Sequence, residues 1–346
     1  GEIMSIKMLM FDFREEEQAY FDRENTEDFE ITFFSESLTK EAVQNLSYEI
    51  RQNTTVISVF IDSKVDKEVI DAFPNLMIIS TRSTGFNHID LEEAKRQNIK
   101  VLNVENYGKT GVMQYTFGLI LTLMRKIYVA ISDLKDLNKD NSKYVGRDLN
   151  ALTLGVIGTG TIGAGVCMIA NAFGMKILAY DLVKKNGLIE NYNVQYVNKD
   201  ELLKKADIIT LHVPYNDQSY HLISENEFEL MKDTSYLINV ARGELVDTKA
   251  LFNALQNNKI SGCALDVIEC ENSGVFCEKN KDKEATECVS ECNDTNSIIK
   301  KLIKMPNVLI TPHIAYKTQD SIDYILKTTM ISIKDNLKGG HTNKIN

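Results

Sequence analysis

Three side chains of complementary chemistry follow three apolar, strand-like runs in the second half of this 346-residue chain. Arg242 comes after Tyr236 to Ala241, Glu271 after the run ending in Asp266-Val267, and His313 after Val308 to Pro312. Open α/β sheets bind their ligands outside the carboxyl ends of strands, so these are positions where chemistry is expected. A guanidinium presents a planar fork that matches a carboxylate. An imidazole titrates near neutrality and can deliver a proton. A carboxylate hydrogen-bonded to that ring favours its protonated form and fixes its orientation. Together they suit hydride reduction of a 2-oxo acid: the arginine holds the carboxylate and polarises the carbonyl, and the histidine protonates the alkoxide. Taken singly, each has a plainer fate: a surface ion pair for Arg242, a solvated acid for Glu271 near Glu269, a strand cap for His313. It is their joint placement that points to a site.

A hydride reaction needs a carrier, and the chain has a place for one. The strand Leu152 to Ile157 runs into Gly158-Thr159-Gly160-Thr161-Ile162-Gly163, and a second strand, Ile177 to Tyr180, ends in Asp181. Gly158 permits a tight turn, Gly160 lets backbone approach a pyrophosphate, and Gly163 packs the next helix on the sheet. The N-terminus of that helix offers N–H groups and a positive dipole end to phosphates. Asp181 stands where a carboxylate accepts hydrogen bonds from ribose hydroxyls and repels a 2′-phosphate. A glycine triplet alone is weak evidence; flanked by strand, helix and distal acid it predicts NAD.

The elements around these residues alternate between strand and helix, which predicts parallel sheets. Strands are expected at 7–11, 31–34, 56–60, 77–80 and 101–104, and helices at 16–24, 39–51 and 66–72. A long helix is expected over 114–134. Strands then follow at 177–180, 194–197, 208–213, 236–240, 262–267 and 308–311, with a surface loop inserted at 272–297 and a final helix at 318–337. The fold class is therefore α/β: two doubly wound parallel-sheet domains, Rossmann- or flavodoxin-like, separated by an active-site cleft. Residues 1–106 plus 314–346 form the substrate domain and 107–313 the NAD-binding domain, the C-terminal helix packing on the first sheet.

Composition narrows the partners. Net charge is −10, with 43% hydrophobic and 25% charged residues, which argues against nucleic acid and anionic membranes. The longest apolar stretch, Phe117 to Met124, is too short to span a bilayer, and the start shows no signal-peptide pattern. A cytoplasmic location is expected. Five of the six cysteines (Cys263, Cys270, Cys277, Cys288 and Cys292) crowd together without a zinc spacing. With Cys167 they are expected to be free thiols, and no metal is expected.

Several blocks carry a further signal: Phe13-Arg14-Glu15-Glu16-Glu17, Ser83 to Asp90, Gly158 to Gly163, His212-Val213-Pro214, Asn239 to Asp247, Leu265-Asp266-Val267 and Thr311 to Tyr316. In combination they resemble the D-isomer-specific 2-hydroxyacid dehydrogenases over essentially the whole chain, most closely the D-lactate dehydrogenase branch. The resemblance implies that Arg242, Glu271 and His313 are the catalytic set, with Glu269 as the alternative acid. It implies that Asp266 binds the nicotinamide carboxamide and that Val213, Pro214, Val240 and Ala241 line the cofactor. Thr84 and Gly85 match a loop whose N–H groups hold the substrate carboxylate, and Tyr107 matches a tyrosine that closes over substrate. Here Gly108-Lys109-Thr110-Gly111 follows Tyr107, where relatives often have Pro-Asn. Relatives acting on 2-oxoglutarate use an arginine where this chain has Phe60; Phe60, with Tyr316 nearby, implies a small or aliphatic side chain on the substrate, the alternative being that Phe60 is an ordinary core phenylalanine. The activity implied is NADH-dependent reduction of pyruvate to (R)-lactate by a homodimer. The alternatives are 2-hydroxyisocaproate, phenyllactate or (R)-2-hydroxyglutarate chemistry, and, more remotely, an NAD(H)-sensing binding protein.

Overall fold

Short apolar runs in which every residue is buried form strands only where both faces of a sheet are covered. The computed structural model describes residues 6–137, 140–271 and 292–346, and it contains two such sheets. Contacts divide the chain into one unit of residues 1–108 with 317–346 and a second of residues 109–316.

The first unit holds β1 (Ile6–Met10), β2 (Phe29–Phe33), β3 (Val56–Val59), β4 (Ile78–Thr81) and β5 (Lys100–Leu102). All neighbours are parallel and the order is β2-β1-β3-β4-β5. Alternate residues serve opposite layers. Leu9, Ile57, Ile79 and Val101 pack with Ile70 and Phe73, whereas Met8, Met10, Val56, Ile78 and Leu102 meet Leu326, Met330 and Ile333. The last three lie on the helix Gln319–Leu337, so the C-terminal segment closes this sheet as its pattern predicts. The expected helix over 39–51 is two helices, Lys40–Gln44 and Tyr48–Asn53. Ser47 starts the second by accepting from the Ile50 N–H at 3.2 Å, an N-cap role that suits serine. Strand order reverses between β1 and β3, the position at which such sheets bind ligands.

The second unit holds β6 (Thr153–Ile157), β7 (Lys176–Tyr180), β8 (Gln195–Tyr196), β9 (Ile208–Leu211), β10 (Tyr236–Asn239), β11 (Gly262–Leu265) and β12 (Val308–Ile310). Its order is β12-β11-β10-β9-β6-β7-β8, again all parallel. This is the dinucleotide-fold order with an added edge strand, and its switch point lies between β6 and β9. Leu154, Val156, Ile177, Ile208, Ile238 and Ala264 bury on one face; Ile157, Leu178, Ile209, Leu237 and Leu265 bury on the other.

Two further expectations need correction here. The helix expected over 114–134 is two helices, Lys109–Met124 and Ile127–Lys135, with Lys126 between them in the left-handed region at φ 55°. The Met124 carbonyl accepts from the Arg147 N–H at 2.9 Å, a bond from outside the helix. The loop expected over 272–297 ends earlier, because residues 293–297 open the helix Asn293–Leu302, which buries Ile299 and Leu302. Residues 272–291 lie outside the described residues. Among the described residues no helix is long and apolar enough to cross a membrane.

Candidate active site

The glycine turn leaves β6 with Gly158 at φ 92°, in the region that favours glycine. A Cβ on Gly158 would lie 2.6 Å from the His212 carbonyl oxygen, and one on Gly163 would lie 1.8 Å from the Gly158 oxygen. Both glycines are thus fixed by close backbone approach. A Cβ on Gly160 would meet nothing within 4 Å, which leaves open space beside the backbone at the start of the helix Thr161–Ala172. The first-turn N–H groups of that helix, including those of Thr161, Ile162 and Gly163, have no intrahelical partner by geometry. A pyrophosphate fits that cradle.

Asp181 ends β7 and is already aligned. Its Oδ2 accepts from the Thr159 N–H at 2.5 Å and the Thr159 hydroxyl at 3.0 Å, and its Oδ1 from the Val183 N–H at 3.1 Å. Partial burial raises its pKa, but the hydrogen bonds outweigh it and hold the carboxyl below its ordinary value. Tyr196 steadies the turn, its hydroxyl 2.8 Å from the Thr159 hydroxyl while accepting from the Lys185 N–H at 3.1 Å. Val213 packs against Gly158, its Cγ1 2.7 Å from where a Cβ would stand.

Glu271 and His313 meet although 42 residues apart: His313 Nδ1 lies 2.9 Å from Glu271 Oε2. A carboxylate only accepts, so Nδ1–H donates, and Nε2 takes no part in this bond. Glu271 Oε1 also accepts from the Ile268 N–H at 3.1 Å, which folds the 268–271 turn back on itself. The hydrogen bond to Glu271 is the chief reason the His313 pKa stands above its ordinary value. Partial burial and the Arg242 charge oppose it, and Asp266 assists. Arg242 is exposed at the end of β10, and Asn239 shapes its turn by accepting from the Ala241 N–H at 3.1 Å and donating to the Arg242 carbonyl at 2.8 Å. The structure therefore joins His313 to Glu271 and places Arg242 within electrostatic reach of the ring. Tyr316 stands edge-on to His313, ring centroids 5.9 Å apart.

Asp266 ends β11 and organises the His313 segment. It accepts from the Thr311 hydroxyl at 2.6 Å, the Ile314 N–H at 2.9 Å and the Ala315 N–H at 2.8 Å. Its burial pushes the pKa up against those bonds. His212 is not an acid–base candidate at neutral pH, since burial pushes it down to about 3.

In the first unit, the loop carrying Thr84 and Gly85 is exposed but anchored. The Thr84 hydroxyl donates to the Val104 carbonyl at 3.0 Å and Ser83 Oγ to the Gly85 carbonyl at 2.7 Å. Just before it, Arg82 is fully buried and donates to Glu17 Oε1, Ser58 Oγ and the carbonyls of Phe11 and Asp12, at 2.9–3.0 Å. Phe60 is half-buried after β3, and the Arg14 guanidinium lies 5.0 Å from its ring centroid. The end of β3 therefore carries an Arg14–Asp62 ion pair at 3.7 Å beside Phe60, which the apolar reading of Phe60 did not anticipate. Tyr107 lies in the same unit.

Three features escaped the sequence. His221 holds Glu269, the alternative acid, Nε2 to Oε1 2.7 Å, while Glu271 pairs with His313 as expected. Asn239 shapes the Arg242 turn, and an asparagine at a strand end is a recognisable turn signal. The expectation of free thiols is corrected for Cys270 and Cys292, which form a disulfide flanking Glu271. Cys167 and Cys263 are free and buried; Cys277 and Cys288 fall outside the described residues. Among the described residues no three potential metal ligands gather.

Comparison with known proteins identifies the family. Residues 117–315 match the model of the D-isomer specific 2-hydroxyacid dehydrogenase NAD binding domain. The chain belongs to the D-isomer-specific 2-hydroxyacid dehydrogenase family. It is an NAD-dependent oxidoreductase acting on CH–OH. An aromatic 2-oxoacid reductase of Clostridium sporogenes is 38% identical over 287 residues, covering 82% of this chain and 83% of the relative. The D-lactate dehydrogenase of Escherichia coli K12 is 30% identical over 340 residues, covering 97% and 98%. Among solved structures, the D-lactate dehydrogenase of Aquifex aeolicus, complexed with NAD and lactic acid, superposes with a TM-score of 0.77 at 38% identity over 98% of each chain.

Proposed function

We propose that this dehydrogenase reduces a small 2-oxo acid, pyruvate foremost, to its (R)-2-hydroxy acid with NADH. The observation that carries the reading is the His313–Glu271 hydrogen bond in a segment organised by Asp266. Bound NADH supplies the hydride to the carbonyl carbon. His313, kept protonated by Glu271, delivers its Nε2 proton to the carbonyl oxygen. Arg242 grips the carboxylate and polarises the carbonyl. Thr84 and Gly85 contribute N–H groups to the carboxylate, Tyr107 and Tyr316 border the substrate, and Phe60 faces its side chain. Gly158 to Gly163 cradle the pyrophosphate and Asp181 takes the ribose hydroxyls. Val213, Pro214, Val240 and Ala241 flank the dinucleotide, and Asp266 orients the carboxamide. The substrate domain is the first unit and the NAD domain the second.

Two observations favour a broader substrate range. The relative from C. sporogenes bears an aromatic 2-oxoacid name, and Arg14, which lies over Phe60 and 3.7 Å from Asp62 Oδ2, puts a guanidinium beside the residue that stands where relatives acting on 2-oxoglutarate carry an arginine. NADH oxidation should therefore be measured over pyruvate, 2-oxoisocaproate, phenylpyruvate and 2-oxoglutarate, with both enantiomers of each product in reverse. Highest kcat/KM with pyruvate and turnover of (R)-lactate alone support the reading. Preference for phenylpyruvate moves it to aromatic acids, preference for 2-oxoglutarate to diacids, and no turnover at all refutes it in favour of an NAD(H)-binding role.

A homodimer is part of the same proposal. The helix Ile127–Lys135 leaves Ile127, Tyr128, Ile131 and Leu134 between 42% and 59% exposed, an apolar set of the kind that marks an interface. Light scattering at twice the monomer mass supports it, and a monomer refutes it. A fermentative role, in which pyruvate reduction regenerates NAD, fits this chemistry, and in a cytoplasmic setting the Cys270–Cys292 bond would be one that forms only on oxidation.

A further inference from the structure

Beside the proton-donor pair, the second unit contains a second histidine–glutamate pair that touches none of the groups assigned to substrate or cofactor. His221 Nε2 donates to Glu269 Oε1 at 2.7 Å, and Glu269 Oε2 accepts from the Thr248 N–H at 2.9 Å. The Glu269 side chain is only 14% exposed, so its charge relies on those two donors for what water no longer supplies. Asp247 is the other acid facing the ring, its Oδ2 3.7 Å from His221 Nδ1, and Tyr220 stacks on the imidazole at 3.9 Å.

The pair joins three segments, two of which carry the reaction's candidate groups. His221 belongs to the loop after β9, which is laced to the segment following Arg242. The His221 N–H donates to the Glu244 carbonyl at 2.8 Å, the Ile223 N–H to Leu245 at 3.0 Å, and the Asp247 N–H back to Ile223 at 3.0 Å. Glu269 lies in the turn that ends in Glu271. Between these two, Gly243 is pressed onto the 268–269 peptide so tightly that a Cβ would stand 2.1 Å from the Ile268 carbonyl carbon. The turn presenting the guanidinium and the turn presenting the acid therefore rest on each other's backbones, and the His221–Glu269 hydrogen bond closes the stack.

We propose that His221 and Glu269 are positioning residues that hold the Arg242 turn and the Glu271 turn in register. They act through these turns and not on substrate. This rests on the roles of Arg242 and Glu271 in the proposed reaction. Small displacements of reacting groups are costly in rate, so loosening the bridge lowers substrate turnover while the glycine cradle and Asp181, in other loops, keep their geometry.

The test uses the full-length enzyme with His221→Asn, Glu269→Gln and the double variant. Asparagine tolerates the left-handed backbone of residue 221, φ 49°, which keeps the fold least disturbed. Each single change should lower kcat/KM for pyruvate, or whichever 2-oxo acid is turned over best, about 10- to 100-fold. The double variant should lose little more than either, because one bridge is broken in all three. The NADH dissociation constant from fluorescence should stay near wild type, while the melting temperature falls by no more than the few degrees that losing one donor to Glu269 implies. The falling limb of the kcat/KM–pH profile in Glu269→Gln should move to lower pH, as the Glu271 turn loosens from His313. Full activity in Glu269→Gln, additive losses, or a loss matched by weaker NADH binding and a larger fall in stability would overturn the proposal. If wild type turns over no 2-oxo acid, the reading of the site falls and this proposal with it; an active wild type with an indifferent Glu269→Gln sinks this proposal alone.

Discussion

Replacing Glu271 by glutamine probes the proton-donor pair at its single decisive contact. Glutamine keeps the size of the side chain and removes the charge facing His313 Nδ1. Hydrogen bonds to charged groups contribute about 1.5–3 kcal/mol. The imidazole is 41% exposed and the carboxylate 23%, so solvent screening places this pair in the lower half of that range. About 1.5–2 kcal/mol corresponds to roughly a 10- to 30-fold change in proton affinity or rate. Its sign is fixed by the reaction direction. Glu271 holds the His313 pKa above the ordinary value, and 2-oxo acid reduction uses the protonated ring. The kcat/KM for reduction is then highest at low pH and falls as pH rises through that pKa. Without the carboxylate the fall begins at lower pH, so the loss is about 10- to 30-fold near pH 8 and shrinks toward pH 5.5. Oxidation of the hydroxy acid uses the neutral ring, and its acid-side limb should move to lower pH as well. Stopped-flow NADH absorbance in both directions between pH 5 and 9 reads all of this. An unchanged limb in either direction would mean that Glu271 does not tune His313, and the reasoning would fail.

Asp181→Ser removes a carboxylate that would face a 2′-phosphate. Wild type should prefer NADH, and the variant should gain roughly tenfold or more in kcat/KM for NADPH, since two charges a few ångströms apart interact by about 1–4 kcal/mol near a surface; an unaltered cofactor ratio counts against the ribose assignment. Gly163→Ala forces a Cβ to within 1.8 Å of the Gly158 oxygen. It should lose about 1–3 kcal/mol of stability and most of its NADH binding, as read by melting temperature and fluorescence titration; wild-type values for both would contradict the packing argument. The Cys270–Cys292 disulfide spans 22 residues, and a loop of that length corresponds to about 3 kcal/mol of stabilisation. Peptide mapping without reductant should recover the linked pair, and the melting temperature should drop on adding dithiothreitol; two free thiols in oxidised protein would refute the pairing.

How much of this the sequence reveals depends on how local the physics is. The strands of both sheets are legible because burial on two faces demands unbroken apolar runs such as Val56 to Val59. The cofactor turn is legible because Gly158 and Gly163 answer to steric contacts that no other residue satisfies. The helix break at Lys126 is not, since an ordinary lysine takes the left-handed backbone there while Arg147, twenty-one residues later, caps the Met124 carbonyl. Disulfide pairing is equally silent, because cysteine spacing carries no distance in space. Glu269 and Glu271 show where the boundary falls. They are identical groups two residues apart, and both lie beyond the end of β11 at Leu265. Within a strand, residues two apart share a face and would point the same way. Past it, the turn decides, and Cys270 enters the left-handed region at φ 58° between them. That single backbone reversal sends one carboxylate to His313 and the other to His221. The residue types forecast that an acid serves the imidazole, and the family resemblance selects Glu271 over Glu269 as the structure does; what the sequence leaves unsaid is the left-handed turn at Cys270 that gives Glu269 a partner of its own in His221.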